Sequence, residues 1–441
     1  MKKPQQLWIY LRSSFWFTPS LIVAGSIALA ISLINVDSVM SNEMLTNWPR
    51  LFGAGAEGSR QMLSTIASSM MTVVGVTFSM TLVTLALASS QYTSRVLGNF
   101  MRSPITQVAL GIFAGIFTYC LIVLRVIRGG GGEAAFVPSL AVLVGVVLAL
   151  VGIGVLILFI HHIATSIQAS NIICSVADET ITAIERMFSE NPMQASDEED
   201  EACLANMSLA FNLDWHVVSG VTSGYIESVD YAALRELARK RNIIIKMNYG
   251  IGNFIVKDMA LASIARQDPP DEEMVRELRS FYSIGSRRTI EQDPEFGIRQ
   301  IVDIALKALS PGINDTTTAV TCVDYLTTIL CYLAPRNFPS RIRHEEGKPG
   351  LITAGTTFVT LVEVSFDQIR RSAKGNVTVM THMLSALEAI ATRTNGTHRQ
   401  EALRKQVQWI AELAHRSVES PHDLMALDAQ LESVRALMSR L

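Results

Sequence analysis

Four apolar runs, Phe15–Ile34, Met62–Ser89, Ile105–Ile127 and Val137–Ile160, fill roughly the first 165 residues of this 441-residue chain. Each is about 20 residues or longer, enough to cross a hydrocarbon layer about 30 Å thick as a helix. None carries Lys, Arg, Asp, Glu or His in its core. The rest of the chain reads as water-soluble. The expected class is therefore an integral membrane α-helical protein with a large domain on one face of the bilayer.

Composition agrees with that division. An apolar fraction of 49% and a mean hydropathy of +0.30 are high for a soluble protein and ordinary for one that is half in lipid. A net charge of -3 gives no electrostatic footprint for nucleic acid. The five cysteines, Cys120, Cys174, Cys203, Cys322 and Cys331, contain no CxxC pair. A disulfide framework or zinc site is not expected, and free thiols suit a reducing compartment.

The first run begins like a signal peptide, with Lys2, Lys3 and Arg12 ahead of it and an Ala28-Leu29-Ala30 triplet inside. Its apolar character continues past the triplet to Ile34, which favours a retained span. Four spans put both termini on one side. With the termini inside, the inner segments hold Lys2, Lys3, Arg12, Arg95 and Arg102, and the outer ones Arg50, Arg60, Arg125 and Arg128. The margin is narrow, and the basic N-terminus decides it in favour of cytoplasmic termini.

The second run differs from the other three. Thr65, Ser68, Ser69, Thr72, Gly75 and Ser79 share one helical face, and Thr77, Thr81 and Thr84 form a weaker stripe. Such a face either lines a hydrated path in an oligomer or serves close helix packing. Gly111 and Gly115 in the third run carry the small-residue spacing of a packing seam. The fourth run, with Gly145, Gly152 and Gly154, ends in His161-His162, a pair that reads as an interfacial helix end rather than a chelate. Coupled transporters place ionisable groups in mid-membrane or break their helices there, and neither feature is present. A passive pore, a sensor or a scaffold remains.

After His162 the helical spacing runs on to about Phe188, and an acidic stretch, Asn191–Ala202, reads as a linker. Residues 215–264 alternate like strands, with a short helix over Tyr231–Lys240 and turns at Gly250 and Gly252. This layout resembles barrel-sandwich hybrid domains of the lipoyl, biotinyl and membrane-fusion adaptor type. Lys246 sits too close to Gly250 to be the modified lysine of those families, so no cofactor is expected. The remainder is mainly helical, about Asp271–Tyr282, Pro294–Leu309, Thr316–Leu333, Thr357–Ser372, Val377–Thr394, His398–Arg416 and His422–Leu441, interrupted by a hairpin around Gly347–Gly350. The expected organisation is a four-helix transmembrane domain (1–165), an emerging helix and linker (166–213), a small β-barrel-like domain (214–267) and a helical cytoplasmic domain (268–441).

The densest polar cluster places Arg287, Arg288, Glu291, Asp293, Arg299 and Asp303 in seventeen residues, followed by Asn314 and Asp315. It reads either as a pocket for an ion or small ligand, or as a salt-bridge and capping network, with Asp315 as a helix cap. No Walker loop, GxGxxG, HExxH or GxSxG is present, and the histidines are scattered. Neither an enzyme nor a metal site is expected.

The runs STIASSMMTVVGVTFSMTLVTLALASSQYTSRVLGNFM, FIHHIATSIQAS, TIEQDPEFGIRQIVDIALKALSPGINDTTTAVTC and IRRSAKGNVTVMTHML resemble the bacterial predicted-membrane-protein family called domain of unknown function 2254. Thr316 departs from that pattern where many members carry Pro after Asn-Asp. The resemblance implies a multi-pass bacterial inner-membrane protein with four N-terminal spans and supplies no activity. The residues themselves favour a homo-oligomeric, channel-like protein whose second helix lines the path. The alternative is a non-conducting sensor or scaffold that binds a ligand or protein through its cytoplasmic domain. The expected partners are the lipid bilayer, further copies of the chain, and an ion or small ligand.

Overall fold

A computed structural model describes residues 16–39, 55–91, 104–128, 136–166, 168–188, 214–338, 341–345 and 348–440. The chain divides into two compact units, residues 1–168 and 169–441.

The first unit is built from α1 (Phe17–Val39), α2 (Ala56–Gln91), α3 (Pro104–Val126) and α4 (Ser139–Ser166). All four are long and apolar enough to cross a membrane. Helix α3 is the centre. Half of its apolar window is buried, against 11% for α1 and 17% for α2 and α4. Glycines set how closely its neighbours approach. A Cβ on Gly111 would lie 2.8 Å from Ile22 and 3.0 Å from the Pro19 backbone, and one on Gly115 would collide with Ser26, so α1 rests directly on α3. Gly145 and Gly152 of α4 likewise meet Leu63, and Ile116 with Met70. Small residues perform this task in membrane bundles because no hydrophobic drive separates helix from lipid.

Polar links gather at one end of the bundle. The carboxylate of Asp37 accepts from the backbone N–H groups of Leu140 and Ala141 at 3.2 and 3.0 Å, capping α4 from the end of α1. Arg60 donates to the carbonyl of Ile127 at 2.8 Å, just past the C-terminus of α3. The Tyr119 hydroxyl donates to the carbonyl of Ala141 at 2.7 Å. An anion at a helix N-terminus and a cation at a C-terminus both complement the helix dipole.

The second unit opens with α5 (Ala169–Met187). The single helix expected to run from the fourth span to Phe188 is thus two elements, α4 ending at Ser166 and α5 starting at Ala169. The expected acidic linker lies outside the described residues. Next come β1 (Asp214–Ser219), β2 (Gly224–Val229), α6 (Tyr231–Arg241), β3 (Ile244–Met247), β4 (Phe254–Ile255), β5 (Ala260–Arg266), α7 (Glu272–Ser280) and β6 (Tyr282–Gly285). They are followed by α8 (Pro294–Ala308), α9 (Thr316–Leu333), β7 (Ile342–Glu345), β8 (Lys348–Ile352), α10 (Phe358–Ser372), α11 (Val377–Ala391), α12 (Thr397–Ser417) and α13 (Pro421–Met438). Asp230, Asp271, Asp293, Asp315, Thr357, Asn376 and Ser420 each cap a helix by accepting from the N–H three residues on. Helices α8 and α9 pack on α5, α10 on α8, α11 on α9, α12 on α10 and α11, and α13 on α11 and α12, giving an α+β unit with a helical C-terminal part.

The expected β-barrel-like domain is not present. The strands form two open sheets, β1-β5-β3-β8-β7 and β4-β2-β6. A barrel over residues 214–267 would have to close on itself. Here β3 pairs in parallel with β8, which arrives from residues 348–352, and β1 and β7 remain the two edges. Both sheets share one core with α6 and α7, including Ile226, Leu234, Ile245, Ile264, Leu278 and Leu351.

Candidate functional site

Two places hold the residues singled out in the sequence. The first is α2. Leu63, Ala67, Met70 and Thr77 are buried within the bundle. On a wheel of 100° per residue, Thr65, Ser68, Ser69, Thr72, Gly75 and Ser79 centre about 180° away from those four. All six are exposed. A Cβ on Gly75 would meet nothing within 4 Å. Among the described residues nothing packs against this face. Its polarity is partly quenched, since Thr65 and Thr72 donate to the carbonyls of Gln61 and Ser68 at 2.8 and 3.1 Å. Val76 and Val83 are exposed on the same side, so the polar stretch is central in the helix, interrupted at Val76 and apolar again at Val83.

The weaker threonine stripe points the other way. Thr77 and Thr84 are buried, and Thr81 and Thr84 donate to the carbonyls four residues back. The hydroxyl of Thr77 is buried with no hydrogen-bond partner among the described residues. His161 is exposed at the end of α4, and His162 lies near the Ser166 hydroxyl at 3.4 Å.

The second place is the N-terminus of α8. Asp293 is 4% exposed and caps the helix by accepting from Phe296 N–H at 3.1 Å. Its other oxygen accepts from Arg288 Nε at 2.7 Å and pairs with Arg288 Nη2 at 2.7 Å. Burial pushes the Asp293 carboxyl up to about 6, while Arg288 and the cap hydrogen bond pull it down. Arg288 lies over the Phe296 ring and 3.8 Å from Glu295, which is held in turn by Arg299 at 2.8 Å and Thr356 at 3.3 Å. Gly252, at φ +82°, brings the β4 turn against this pair, and any Cβ there would run into Asp293 and Arg288. Three distant segments, around Gly252, Arg288–Arg299 and Thr356, are tied together here. The polar atoms are spent on one another, which is the chemistry of a clamp.

The other members of the cluster lie elsewhere. Arg287 and Glu291 are exposed, and Asp303 is half-buried along α8. Asn314, with φ 48°, and Asp315 follow the far end of that helix, about 20 Å from Asp293 at 1.5 Å per residue. Asp315 accepts from Thr318 N–H at 3.0 Å and from its hydroxyl at 2.6 Å, which holds its carboxyl below the usual range. Thr316, at the first position of α9, accepts from Asn376 at 2.8 Å, joining α9 to the cap of α11. Proline at 316 would lack that hydroxyl. Glu295, Gly252 and Thr356 were not marked as site residues by the sequence, because Gly252 meets Arg288 and Asp293 across 36 and 41 residues and Thr356 meets Glu295 across 61. No cluster of three or more His, Cys, Asp or Glu side chains suited to a metal is present among the described residues.

The bundle of four membrane-length helices joined to an α+β unit defines a class of multi-span membrane proteins with a large extramembrane part. The chain belongs to the family described as predicted membrane protein (DUF2254), whose model matches residues 12–389. Uncharacterised proteins of Mycobacterium bovis and Mycobacterium tuberculosis strain H37Rv are each 30% identical over 420 residues, covering 94% of this chain and 78% of theirs. A further one from Mycobacterium tuberculosis strain CDC 1551 is 29% identical over the same span. No solved structure matches the chain.

Proposed function

We propose that this protein is a homo-oligomeric, channel-like component of the bacterial inner membrane. In this reading the Thr65–Ser79 face of α2 meets its counterparts around a hydrated path. Both termini lie in the cytoplasm, where the unit from Ala169 onward assembles or gates that path. No catalytic role is proposed.

One observation carries the reading: among the described residues, the strongly hydroxylated face of α2 points directly away from its own bundle. Lipid gives no partner to exposed hydroxyls, whereas water or another helix does. Small side chains and the open space at Gly75 let a second helix approach closely. The apolar runs lack a central ionisable residue, which favours passive movement over coupling to protons or sodium.

The test places single cysteines at Ser68, Thr72, Ser79, Leu82 and Leu85 in native membranes. The first three are expected to react with a water-soluble thiol reagent and the two leucine positions to stay protected. Equal protection at all five positions removes the pore and leaves a membrane-anchored sensor or scaffold.

A further inference from the structure

One end of the Ala169–Leu441 unit gathers several of its helix starts and turns. Helix α9 runs parallel to α5. Tyr325 hydrogen-bonds Cys174, Tyr332 donates to Glu185 at 2.6 Å, and Arg336 donates to the Phe188 carbonyl at 2.8 Å, so the partners advance together along both helices. Helix α11 runs parallel to α9, since Asn376 donates to Thr316 at 2.8 Å and His382 lies 3.9 Å from Asp324. The starts of α5, α9 and α11 therefore share one end. The turns leading into them lie there too. Asp315 N–H donates to the Ala308 carbonyl at 2.8 Å across the α8–α9 loop. Gly375 N–H donates to the Ser417 hydroxyl at 3.1 Å, which joins the α10–α11 loop to the end of α12. The sheets belong to the opposite end, where Gly252 meets Asp293 at the start of α8.

Covalent geometry ties this end to the bilayer. Helix α4, long and apolar enough to cross a membrane, closes at Ser166, and α5 opens at Ala169. Those few residues reach at most about 11 Å. With Tyr325 beside Cys174, α9 begins about four residues, or about 6 Å, further out than α5. The α8–α9 loop thus projects past the point where the chain enters this unit.

The surface of this end suits lipid headgroups. Eight large apolar side chains are exposed in the described part of the unit, and six of them lie between Trp215 and Met259, with the sheets. The other two, Ile313 and Met425, lie at this end, Ile313 in the α8–α9 loop and Met425 near the start of α13. Lys307, Arg371, Lys374 and Arg416 are exposed around the same turns, against the exposed acids Glu419 and Asp423. Apolar tips among basic side chains are the pattern of a surface that sits in the headgroup layer of an anionic leaflet. We propose that this end of the unit rests on the bilayer surface, with Ile313 and Met425 in the headgroup layer and Lys307 and Lys374 against lipid phosphates. The sheets then face away from the lipid.

The contact requires a membrane-spanning chain and requires no pore, so it and the proposed function fail separately. The experiment uses the full-length protein in vesicles of phosphatidylethanolamine and phosphatidylglycerol, with Cys174, Cys203 and Cys331 replaced by serine. Single cysteines at Ser170, Ile313, Lys374, Met425, Val217 and Phe254, all exposed positions, carry a fluorophore. Lipids with a nitroxide on the headgroup quench it on contact. Ser170→Cys, kept near the lipid by the short link to α4, sets the scale. Quenching at Ile313→Cys, Lys374→Cys and Met425→Cys is expected to approach that scale and to exceed Val217→Cys and Phe254→Cys several-fold. A thermal transition shared with the unlabelled protein verifies that each variant is folded. Equal quenching at the five positions other than Ser170 overturns the proposal. Stronger quenching at Val217 and Phe254 also overturns it and assigns the lipid contact to the sheets. The α2 thiol pattern, read separately, reports on the pore independently of either outcome.

Discussion

The two units tie their distant segments together in different ways. In the four-helix unit several hydroxyls bond to their own helix, four residues back, as Thr65, Thr72, Thr81, Thr84 and Thr118 do. Contacts between its helices are made by glycines and apolar chains, with Asp37, Arg60 and Tyr119 linking them near one end. In the α+β unit polar groups reach across long sequence separations. Arg336 donates to Phe188, Tyr332 to Glu185, Gln406 to Asp367, and the Asp293 clamp joins three segments. A lipid-facing unit cannot expose unsatisfied groups, so it quenches them locally. A water-facing unit can use the same groups to fix distant segments in register. Hydroxyls turned away from their own bundle are the informative ones, and in the helical unit they concentrate on the outer face of α2, while Thr77 is left without a partner inside the bundle among the described residues.

The strongest way to break this contrast is to remove one partner of the clamp. Asp293→Ala leaves the Arg288 guanidinium largely buried without its carboxylate and uncaps α8. Loss of one member of a buried pair costs about 3–5 kcal/mol. The expected outcome is a marked fall in thermal stability and early proteolysis within the Ala169–Leu441 unit of the full-length protein. Arg287→Ala, at an exposed site, is expected to change neither. Equal, small effects of both variants would mean that the clamp is dispensable and reopen the cluster as a ligand site.

Glycine substitutions sharpen the contrast within the membrane-type unit. Gly111→Val would drive side-chain atoms into Ile22 and the Pro19 backbone, forcing α1 off α3. Overpacking of this kind costs about 1–3 kcal/mol. Gly75→Ala meets open space, so the fold of a single chain is expected to be indifferent to it. Thermal aggregation of the detergent-solubilised protein compares them. If Gly75→Ala alters subunit association while leaving that transition unmoved, the open face of α2 is an intersubunit face. If the two glycines behave alike, the α1–α3 contact is looser than its geometry states.

Much of the helical architecture was legible because its determinants are local. Apolar length announced the four spans, and the Asp315 cap placed α9 at Thr316–Leu333. The spacing of Gly111 and Gly115 announced a packing seam, although nothing local named α1 as its partner. The sheets were less legible. Alternation located β1, β2, β3 and β5, but β8 joins β3 across about a hundred residues, and no short-range pattern encodes that pairing. Tyr282, the first residue of β6, reads as a helix end because Phe281-Tyr282 continues the apolar spacing of α7. The polar cluster was visible as composition only. Sequence could not tell that Asp293 would be buried against Gly252, or that α8 would carry Asn314 and Asp315 to its far end. For α2 the periodicity defined a face, and the direction of that face came from the packing of α3 and α4.

The smallest effect concerns the polar end of the bundle. Asp37 is the last acidic residue of α1, and its two oxygens accept from the first backbone N–H groups of α4, 103 and 104 residues further on. A side-chain cap from the helix's own preceding residue is worth about 1 kcal/mol, and an anion at the dipole adds a few tenths. Asp37→Ala is therefore expected to lower stability by about 1 kcal/mol and to free the start of α4 locally, seen as faster hydrogen exchange at Leu140 and Ala141. Asp37→Asn keeps an acceptor and is expected to recover part of the protection, the remainder measuring the charge. Suppose instead that Asp37→Ala leaves exchange at Leu140 and Ala141 unchanged. The cap would then be dispensable, and the polar links between the helices of this unit would reduce to those of Arg60 and Tyr119, which sharpens the difference between the two units.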